Sequence, residues 1–590
     1  MNTKHFFNDP ESLVQDALQG LVYANPHLSY DPDNKCVIDS QHDGSKFVTL
    51  ISGGGAGHEP AFAGYVGPNL LNAAISGFIF ASPSVQQIVN TIAHAGGSTG
   101  TLLIIMNYTG DVLHFHLAAE KARVAGHHTA VMTVGDDVSV GRKRSGRVGR
   151  RGLAGTVLVH KILGGYAKTG ASLDEVVKFG EQVCNNLVTV GAALDHVHVP
   201  GRETNKQASN GSQVELGMGI HNEPGCRVLE PQPHINDLVN QMLDQLLDPN
   251  DSDRAYVRFG DCEPVVLLVN NLGGLSPLEF SAVTKIVSEE LRARVAKVAR
   301  IYAAPFMTSL DSKGFSISLL KANQEMLHFL DVPVTAPGWA IPTYSSESWE
   351  RPNGPSLKQK GVDTQVHDLS RSTLELAPST LKRILTSCCD SILSVESLIN
   401  SYDSVVGDGD CGSTLGRAAR AIQSTIQSSP SAFGDGDAVQ AIETLARVLE
   451  DNMDGTSGAL YAIFFNALAA SLKNIGTERS GKRQIKEEDW SRGVSEALDA
   501  LYRATPARVG DRTLVDALEP FIKTFATGKG VHAAVIAATN GKEKTKGMSA
   551  AFGRAVYVPE SAWSEVPDPG AEGVVRLVQG LLTDGNENGA

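Results

Sequence analysis

The chain has 590 residues, of which 42% are hydrophobic and 20% charged, and its formal net charge is -14. This length predicts at least two domains, and the negative charge argues against nucleic acid as the main partner. The seven cysteines include no CxxC pair, and neither an apolar signal core nor a run of about 18 apolar residues occurs, so we expect a cytoplasmic protein with reduced thiols and no membrane partner.

The N-terminal third alternates patterns of strand, loop and helix. An amphipathic helical pattern comes first, and three apolar runs then predict buried strands. Two later stretches have helical spacing, so the alternation predicts a mostly parallel sheet. The predicted strands are Phe47–Ile51, Thr101–Met106 and Thr129–Val134, and the predicted helices are Leu153–Gly164 and Leu173–Val190.

Two of these strands end in segments that carry polar side chains. Ser52–Pro60 is predicted to be a glycine-rich loop containing His58, and open α/β sheets bind ligands at such strand ends. The loop lacks the GxGxxG pattern of a dinucleotide site. Asp111 follows the second strand, where a carboxylate is either catalytic or the cap of the next helix.

The stretch Glu215–Gly225 places one histidine, His221, among glycines. A neutral imidazole can attack a carbonyl carbon, so His221 could hold a small ketone or aldehyde covalently. The turn at Pro224 and Gly225 is expected to fix the approach of the ring. The alternative is a histidine that only hydrogen-bonds nearby backbone.

Composition divides the chain into two halves. Strand patterns at Val265–Val269 and Phe315–Leu320 complete a domain over residues 1–343, with lobes at about 1–200 and 200–343. Residues 344–370 are rich in Ser, Pro and Gly and predict a linker. Residues 371–590 predict an all-α domain, with helices at Leu381–Ile399, Thr414–Ile426, Ala438–Leu449, Gly458–Leu472, Trp490–Tyr502, Leu514–Phe525 and Val574–Leu582.

The helical half contains a dense acidic cluster. Asp403, Asp408 and Asp410 lie within eight residues, interleaved with glycine. Such hard oxygen ligands suit Mg²⁺ or Ca²⁺, although the spacing is not that of an EF-hand. The alternative is a solvated acidic turn.

Two further segments suit a polyphosphate ligand. Asn452–Gly458 precedes an apolar helix, whose N-terminal N–H groups can bind phosphate or simply be capped. Arg554 adds a cation, and Asp568–Ala571 adds a tight turn. Together with the aspartates these segments predict a nucleoside triphosphate site, although no P-loop is present.

These motifs, taken in order, resemble the ATP-dependent dihydroxyacetone (glycerone) kinases of the single-chain form. The resemblance covers nearly the whole chain. The matching motifs are Ser52–Pro60, Phe80–Ser84, Asn107–Asp111, Gly149–Thr156 and Gly217–Gly225 in the first half, and Asp403–Gly412, Gly455–Tyr461, Asp516–Pro520, Gly553–Val558 and Asp568–Ala571 in the second.

For the first half, the resemblance implies an α/β two-lobed substrate domain. It implies that His221 binds the substrate carbonyl as a hemiaminal, that His58 and Asp111 act as the acid–base pair, and that Gly53, Gly54 and Ser82 line the substrate. Dihydroxyacetone, and also glyceraldehyde, would be selected over glycerol, which has no carbonyl. The implied process is glycerol metabolism, with entry of the triose into glycolysis and detoxification of the ketone.

For the second half, the resemblance implies an all-α helical barrel that binds ATP. Asp403, Asp408 and Asp410 would hold two Mg²⁺ ions, and the chain would act as a homodimer in which the ATP domain of one chain covers the substrate site of its partner. The implied nucleotide-binding residues are Asp408, Gly409, Asp410, Cys411, Thr456, Ser457, Arg554, Asp568, Pro569 and Gly570.

Three positions depart from the family pattern. Met106 stands where lysine is usual, Phe78 where an acidic residue is usual, and Asp454 where glycine is usual. These changes permit a second hypothesis, a catalytically weakened ligand-binding or regulatory protein. The resemblance itself implies a third, splitting of FAD to cyclic FMN at the ATP site. Retention of both histidines and of all four site aspartates argues against the second.

Overall fold

The computed structural model describes residues 5–7, 9–200, 212–260, 263–349, 372–429, 432–433, 436–478, 481–551 and 564–582. The chain divides into two compact units, Met1–Leu357 and Lys358–Ala590. Most of the predicted linker, and Arg554, lie outside the described residues.

The first sheet of the N-terminal unit confirms the mostly parallel prediction. Its strand order is β1-β2-β4-β3-β5-β6, and the β4–β3, β3–β5 and β5–β6 pairs are parallel. Strands β3 to β5 are almost wholly buried, as expected for strands covered on both faces, whereas the edge strand β6 is buried only in part. The strands are β1 Leu28–Asp31, β2 Cys36–Asp39, β3 Thr49–Ala56, β4 Ala73–Ile79, β5 Thr101–Met106 and β6 Thr129–Val134.

The second sheet of this unit is mixed, with order β11-β10-β12-β7-β8-β9 and a parallel β10–β11 pair. The second sheet includes Leu187–Ala193, although the predicted lobe boundary lies later, near residue 200. The predicted helix Leu173–Val190 is therefore wrong at its end, because the β-branched run after Asn186 pairs with β12 instead. The strands are β7 Leu187–Ala193, β8 Val214–Leu216, β9 Arg227–Leu229, β10 Val265–Asn271, β11 Val298–Ala304 and β12 Gly314–Lys321.

Nine described helices accompany these sheets. The helix α4 is buried over almost its whole length, and its start is held by the buried carboxylate of Asp136, which accepts hydrogen bonds from the N–H groups of Leu153 at 2.6 Å and Gly155 at 3.0 Å. The helices are α1 Pro10–Ala24, α2 Val85–Ala95, α3 Thr109–Val124, α4 Thr156–Ala167, α5 Leu173–Cys184, α6 Ile235–Leu247, α7 Pro277–Arg292, α8 Gln324–Leu330 and α9 Ser346–Trp349.

The C-terminal unit is helical, as predicted, with one short two-stranded sheet of β13 (Leu374–Glu375) and β14 (Arg483–Gln484). The single helix predicted over Leu381–Ile399 is two helices, because the chain breaks at Ser394 and Val395. The helix at 530–544 was not predicted. The helices are α10 Pro378–Leu393, α11 Glu396–Val406, α12 Cys411–Ser428, α13 Ala438–Asn452, α14 Gly455–Thr477, α15 Glu487–Ala504, α16 Val515–Ala526, α17 Gly530–Lys544 and α18 Pro569–Gln579.

A cavity of about 360 Å³ lies inside this unit, lined almost wholly by apolar side chains from α10 and from α12 to α18. Helices arranged around a common hollow form the predicted barrel. By length and composition α14 is the described helix that could cross a membrane. In the structure its Tyr461, Phe464, Phe465 and Leu468 line the cavity, which accounts for its high mean hydropathy.

Candidate functional site

The segment Ser52–Ala56 is strand rather than the predicted loop, because β3 runs on through its glycines. A Cβ on Gly53 would lie 2.4 Å from the carbonyl oxygen of Ile75 in β4, so only glycine allows these strands to pack there. A Cβ on Gly54 would point toward Phe62 and toward Asp111, whose Oδ2 would be 3.7 Å away. Gly54 therefore borders the candidate site, whereas Gly53 supports the sheet beneath it.

His58 follows β3 and is fully buried. Its Nδ1 lies 2.9 Å from the carbonyl oxygen of Thr308, which belongs to the second lobe. The backbone N–H of Thr308 in turn donates to the carbonyl of His58 at 3.2 Å. Burial, reinforced by the positive charge of His221, lowers the pKa of His58 to about 3.

His221 meets His58 across the two lobes. The Nε2 atoms of the two rings are 3.0 Å apart. The side chain of His221 is 19% exposed, so the ring can be reached from solvent. Tyr108 and Phe80 present their rings edgewise to it, with centroids at 4.5 Å and 5.2 Å. The structure thus brings together two histidines that lie 163 residues apart in the sequence.

Glu223, which the sequence analysis did not single out, fixes the orientation of this ring. Its Oε1 lies 3.0 Å from Nδ1 of His221, and its Oε2 accepts the backbone N–H of His221 at 2.9 Å. Burial alone would raise the pKa of Glu223, but hydrogen bonds and the charge of His221 outweigh it and lower the pKa to about 2. These two contacts hold the ring, and the expectation that the turn at Pro224 also fixes it stays a prediction.

An arginine lies behind Glu223. The guanidinium of Arg151 contacts the buried carboxylate of Asp137 at 2.7 Å and donates to the carbonyl of Gly217 at 2.8 Å. A Cβ on Gly219 would be 2.2 Å from Oε2 of Glu223 and 2.5 Å from Nη1 of Arg151. Gly219 therefore allows both charged groups to lie against the same stretch of backbone.

Asp111 stands in the first turn of α3 and is 5% exposed. Its Oδ1 has no hydrogen-bond partner among the described residues, while its carboxylate accepts a hydrogen bond from Ser82. Burial raises the pKa of Asp111, and the Ser82 hydrogen bond and the charges of His221 and His114 oppose that rise. A buried carboxylate with an uncommitted oxygen is suited to accept a proton from a hydroxyl.

The structure shows the surroundings of two of the departures from the family pattern. Met106 is 1% exposed, and a Cβ on Gly152 would lie 2.6 Å from the Cβ of Met106, so its side chain fills space in the core. Phe78 is 47% exposed, and Nζ of Lys35 lies 4.3 Å from its ring centroid. Neither residue supplies a charge to the site.

In the C-terminal unit the three predicted aspartates converge. One carboxylate oxygen from each of Asp403, Asp408 and Asp410 lies within 4.8 Å of the other two. Oδ2 of Asp403 also accepts the backbone N–H groups of Asp410 at 2.9 Å and Cys411 at 3.0 Å, which shapes the turn through Gly409. Three carboxylates this close repel one another, and a divalent cation would relieve that repulsion.

Further predicted nucleotide residues lie around this cluster. Cys411 is near Ser457, and burial together with the charges of Asp403, Asp568 and Asp410 raises the pKa of its thiol to about 12. The hydroxyl of Tyr461 is buried beside Cys411 and Asp568 with no hydrogen-bond partner in the described part of the chain. Thr456 is exposed and Gly409 half-buried in the same region, and Asp568, Pro569 and Gly570 begin α18.

Asp454 takes a place that does not require the usual glycine. It has φ -87° and ψ 173°, an extended conformation that any residue can adopt. Its side chain is 98% exposed, with Arg417 at 3.9 Å. Solvent and this arginine therefore weaken any repulsion between Asp454 and a bound phosphate.

Asp568 is expected to make the helical unit less stable as pH rises from about 4 to about 7. It caps α18 by accepting the N–H of Ala571 at 2.8 Å, and burial raises its pKa to about 7. Between its unfolded pKa of about 3.9 and that value, only the folded state holds the proton, so stability falls with pH and is flat above 7.

Asp568→Asn keeps the cap and removes the ionisation. As the pH rises to about 7, the Tm of the variant should rise by a few degrees relative to that of the wild type. Above pH 7 the difference in Tm should stay constant. Thermal melts in chelator without nucleotide measure it, with the exposed Asp499→Asn as control. A Tm difference independent of pH would contradict the assignment.

Comparison with known protein families gives two matches in one chain. The Dak1 domain model matches residues 19–338, and the DAK2 domain model matches residues 405–583. The first range lies within the N-terminal unit and the second within the C-terminal unit. Each unit therefore corresponds to one domain type.

Whole-chain relatives have the same order of domains. The chain is 42% identical to the dihydroxyacetone kinase of Pichia angusta over 98% of both chains, and 35% identical to the triokinase/FMN cyclase of Homo sapiens over 99% of both. It resembles the crystal structure of the dihydroxyacetone kinase from C. freundii in complex with AMP-PNP and Mg²⁺, with a TM-score of 0.61 and 31% identity over 98% of this chain and 99% of that one.

Proposed function

Because the chain belongs to the dihydroxyacetone kinase family, we propose that it transfers the γ-phosphate of ATP to dihydroxyacetone. The observation that carries this function is the group of His58, His221 and Asp111 in the N-terminal unit, where two imidazoles and a buried carboxylate meet at one site. Phosphoryl transfer requires positioning and charge neutralisation more than covalent work by the protein.

We propose that His221 holds the substrate as a hemiaminal. Its Nε2 is the ring nitrogen turned away from Glu223, and the ring is fixed by contacts on both sides. A reversible covalent bond to a carbonyl carbon would position a three-carbon ketone or aldehyde, including glyceraldehyde. Glycerol offers no such carbon and would be held by hydrogen bonds alone.

Asp111 is the proposed base for the hydroxyl that receives the phosphoryl group, with His58 as its partner in acid–base chemistry. Its burial and its uncommitted Oδ1 support this role, because both make it a better proton acceptor than an exposed carboxylate. Ser82 and Gly54 border the same carboxylate and are the proposed lining of the substrate site, with Gly53 behind them.

Asp403, Asp408 and Asp410 are the proposed ligands of Mg²⁺, with ATP beside them. The fit rests on the chemistry of the donors, since three converging carboxylates suit a hard divalent cation, and on the orphaned hydroxyl of Tyr461 next to Cys411 and Asp568. When bound, Mg²⁺ neutralises charge on the phosphates. Thr456, Ser457, Pro569 and Gly570 surround the proposed nucleotide, and Arg554 is retained as a proposed contact.

A coupled assay tests the function directly. Purified protein with ATP and Mg²⁺ should consume ATP when dihydroxyacetone or glyceraldehyde is added, and should consume little with glycerol. The same assay with chelator should show no turnover. Equal turnover with glycerol would overturn the carbonyl-based selection, and no turnover with any triose would favour the regulatory alternative.

A second activity is favoured by similarity to the relative named triokinase/FMN cyclase. Splitting of FAD to cyclic FMN would use the same metal aspartates and would require no group of the N-terminal unit. Incubation with FAD and a divalent cation, followed by chromatography of the flavin products, shows whether the protein splits FAD in addition to phosphorylating trioses. The His221→Ala variant should keep this activity while losing triose phosphorylation.

We make three further proposals, on the oligomeric state, on the cellular location and process, and on the linker between the domains. We propose a cytoplasmic homodimer acting in glycerol metabolism, and the similarity to dihydroxyacetone kinases over the whole chain supports this setting. We also propose that residues 344–370 link the substrate domain, 1–343, to the ATP domain, 371–590. The separation of the structure into two units, with the division inside this segment, supports that proposal. Light scattering of the purified protein tests the dimer.

A further inference from the structure

The hydrogen bonds of the two site histidines leave one proton to be accounted for. Nδ1 of His58 faces the carbonyl oxygen of Thr308 at 2.9 Å. A carbonyl only accepts hydrogen bonds, so this nitrogen carries a proton. Nδ1 of His221 faces the carboxylate of Glu223 at 3.0 Å. Glu223 is ionised at neutral pH, so this nitrogen also carries a proton.

The two Nε2 atoms nevertheless lie 3.0 Å apart. If both rings were neutral, each Nε2 would hold a lone pair and the contact would be repulsive. One of them must hold a hydrogen for the contact to be a hydrogen bond. The arrangement therefore needs three protons on two rings, which gives the pair one positive charge.

From this geometry we propose that, in the substrate-free protein, His58 and His221 share a third proton between their Nε2 atoms, and that Glu223 is the positioning residue that holds it there. The inference rests on the proposed hemiaminal function and adds the source of the proton that the hemiaminal needs. His58 is fully buried, whereas His221 lies against a carboxylate, so the proton resides on His221 and His58 accepts the hydrogen bond.

The charges around the pair agree with this placement. On the side of His221 stand Glu223 and, behind it, Arg151, which is itself neutralised by Asp137. From α3 the carboxyl group of Asp111 faces His221, and the hydroxyl of Tyr108, whose pKa burial raises, donates to the carbonyl of Gly152 at 3.1 Å. One ionised carboxylate in direct contact balances one imidazolium.

The stored proton completes the capture step without exchange with solvent. His58 accepts the proton from Nε2 of His221, which frees the lone pair there. That pair forms the bond from Nε2 to the carbonyl carbon, and the π pair of the carbonyl moves to its oxygen. His58 then gives the proton to this oxygen, which becomes the hydroxyl of the hemiaminal. The positive charge stays on the alkylated ring, still paired with Glu223.

This sequence of transfers reconciles two requirements on His221. The attacking nitrogen must be unprotonated, as nucleophilic chemistry demands, yet the resting ring is protonated. The transfer across 3.0 Å satisfies both. Capture by the wild type should therefore be independent of pH in the neutral range and fade only in acid, where His58 also becomes protonated.

Neutron diffraction from substrate-free crystals grown near pH 7.5 counts these protons directly. The expected result is hydrogen on both Nδ1 atoms and one further hydrogen between the two Nε2 atoms. Only two hydrogens on the pair would overturn the proposal. The wild-type protein suffices for this experiment, so it does not depend on the folding of any variant.

Glu223→Gln tests the positioning role. Glutamine keeps an acceptor for Nδ1 and removes the charge, so the third proton should leave, and ¹⁵N signals of the two histidines, assigned with His58 and His221 variants, should change from imidazolium to neutral imidazole. Capture at neutral pH should slow by about 100-fold and recover as pH falls. Asp31→Asn, beside the exposed His94 at 3.4 Å, is the matched control and should change neither readout.

Carbon-13 NMR distinguishes a failure of the stored-proton proposal from a failure of the hemiaminal function on which it rests. Dihydroxyacetone labelled at its carbonyl carbon should give a tetrahedral carbon signal when bound. A tetrahedral signal with only two protons on the resting pair would reject the stored proton and keep the hemiaminal. Three protons on the pair with only a ketone signal would reject the hemiaminal instead. A pH-independent Glu223→Gln rate would also overturn the positioning role.

Discussion

Replacing His221 with alanine is expected to lower kcat/KM for dihydroxyacetone by at least about 1,000-fold, because covalent holding and alignment of the substrate would be lost. The rate with glycerol should change little, since glycerol cannot form the adduct. The two substrates should therefore become nearly equal for the variant. Steady-state kinetics with dihydroxyacetone and with glycerol measures this loss of discrimination between the two substrates.

The matched control is His94→Ala, which removes another histidine that lies beside a carboxylate, in this case Asp31. It should leave both rates unchanged. A His221→Ala variant that still preferred dihydroxyacetone strongly over glycerol would show that hydrogen bonds from Asp111 and Ser82, rather than covalent capture, set the selection. Circular dichroism of the variant confirms that the fold is kept.

Replacing Asp408 with asparagine is expected to weaken binding of ATP in the presence of Mg²⁺ by about 100-fold or more. One of the three converging carboxylates would lose its charge, and an interaction of unit charges at about 4 Å is worth several kcal/mol near a protein surface. Calorimetry should show tight binding by the wild type, weak binding by the variant, and equally weak binding by both in chelator.

Asp499→Asn is the control for this change, because Asp499 is an exposed aspartate on α15 that does not belong to the cluster. The affinity of the Asp499→Asn variant for ATP should equal that of the wild type. If Asp408→Asn bound ATP with unchanged affinity, the aspartate cluster would be a solvated turn and not a metal site. The kinase would then need a different set of metal ligands.

The strands and most helices could be predicted because their patterns are local. Thr101–Met106 and Thr129–Val134 are strands with the predicted bounds, since each is a short apolar run between polar residues. The errors occur where distant pairing decides the structure. Leu187–Val190 continues a helical pattern, but β12 offers it a partner from residues 314–321. The glycines of Ser52–Ala56 suggest a loop, but close packing against β4 makes them a strand.

The site residues with recognisable chemistry could be predicted, and their partners could not. Motifs alone identify His58, Asp111, His221 and the three clustered aspartates as candidates. The contact between His58 and His221 depends on how the two lobes meet, which no local pattern encodes. Glu223 lies two residues after His221, so its spacing was visible, but a carboxylate beside a histidine is too common in sequences to indicate a contact.

Arg151 and Tyr108 were missed for the same reason. In the sequence Arg151 follows Arg147 and Arg150, which suggests an exposed basic segment, yet its side chain is only 16% exposed and lies against Asp137. Tyr108 lay within a motif and still gave no sign that its ring would stand 4.5 Å from an imidazole. Such neighbours come from tertiary packing, and they decide the protonation of the groups that motifs do identify.

The cavity within the helical barrel has a consequence for behaviour under hydrostatic pressure. About 360 Å³ inside the unit is not filled by the chain, and the unfolded chain contains no such hollow. Unfolding therefore reduces the volume of the system, and pressure favours the smaller state. High pressure should thus favour unfolding of the C-terminal unit, and large aliphatic side chains placed on the inner wall of the hollow should raise the pressure that unfolding requires.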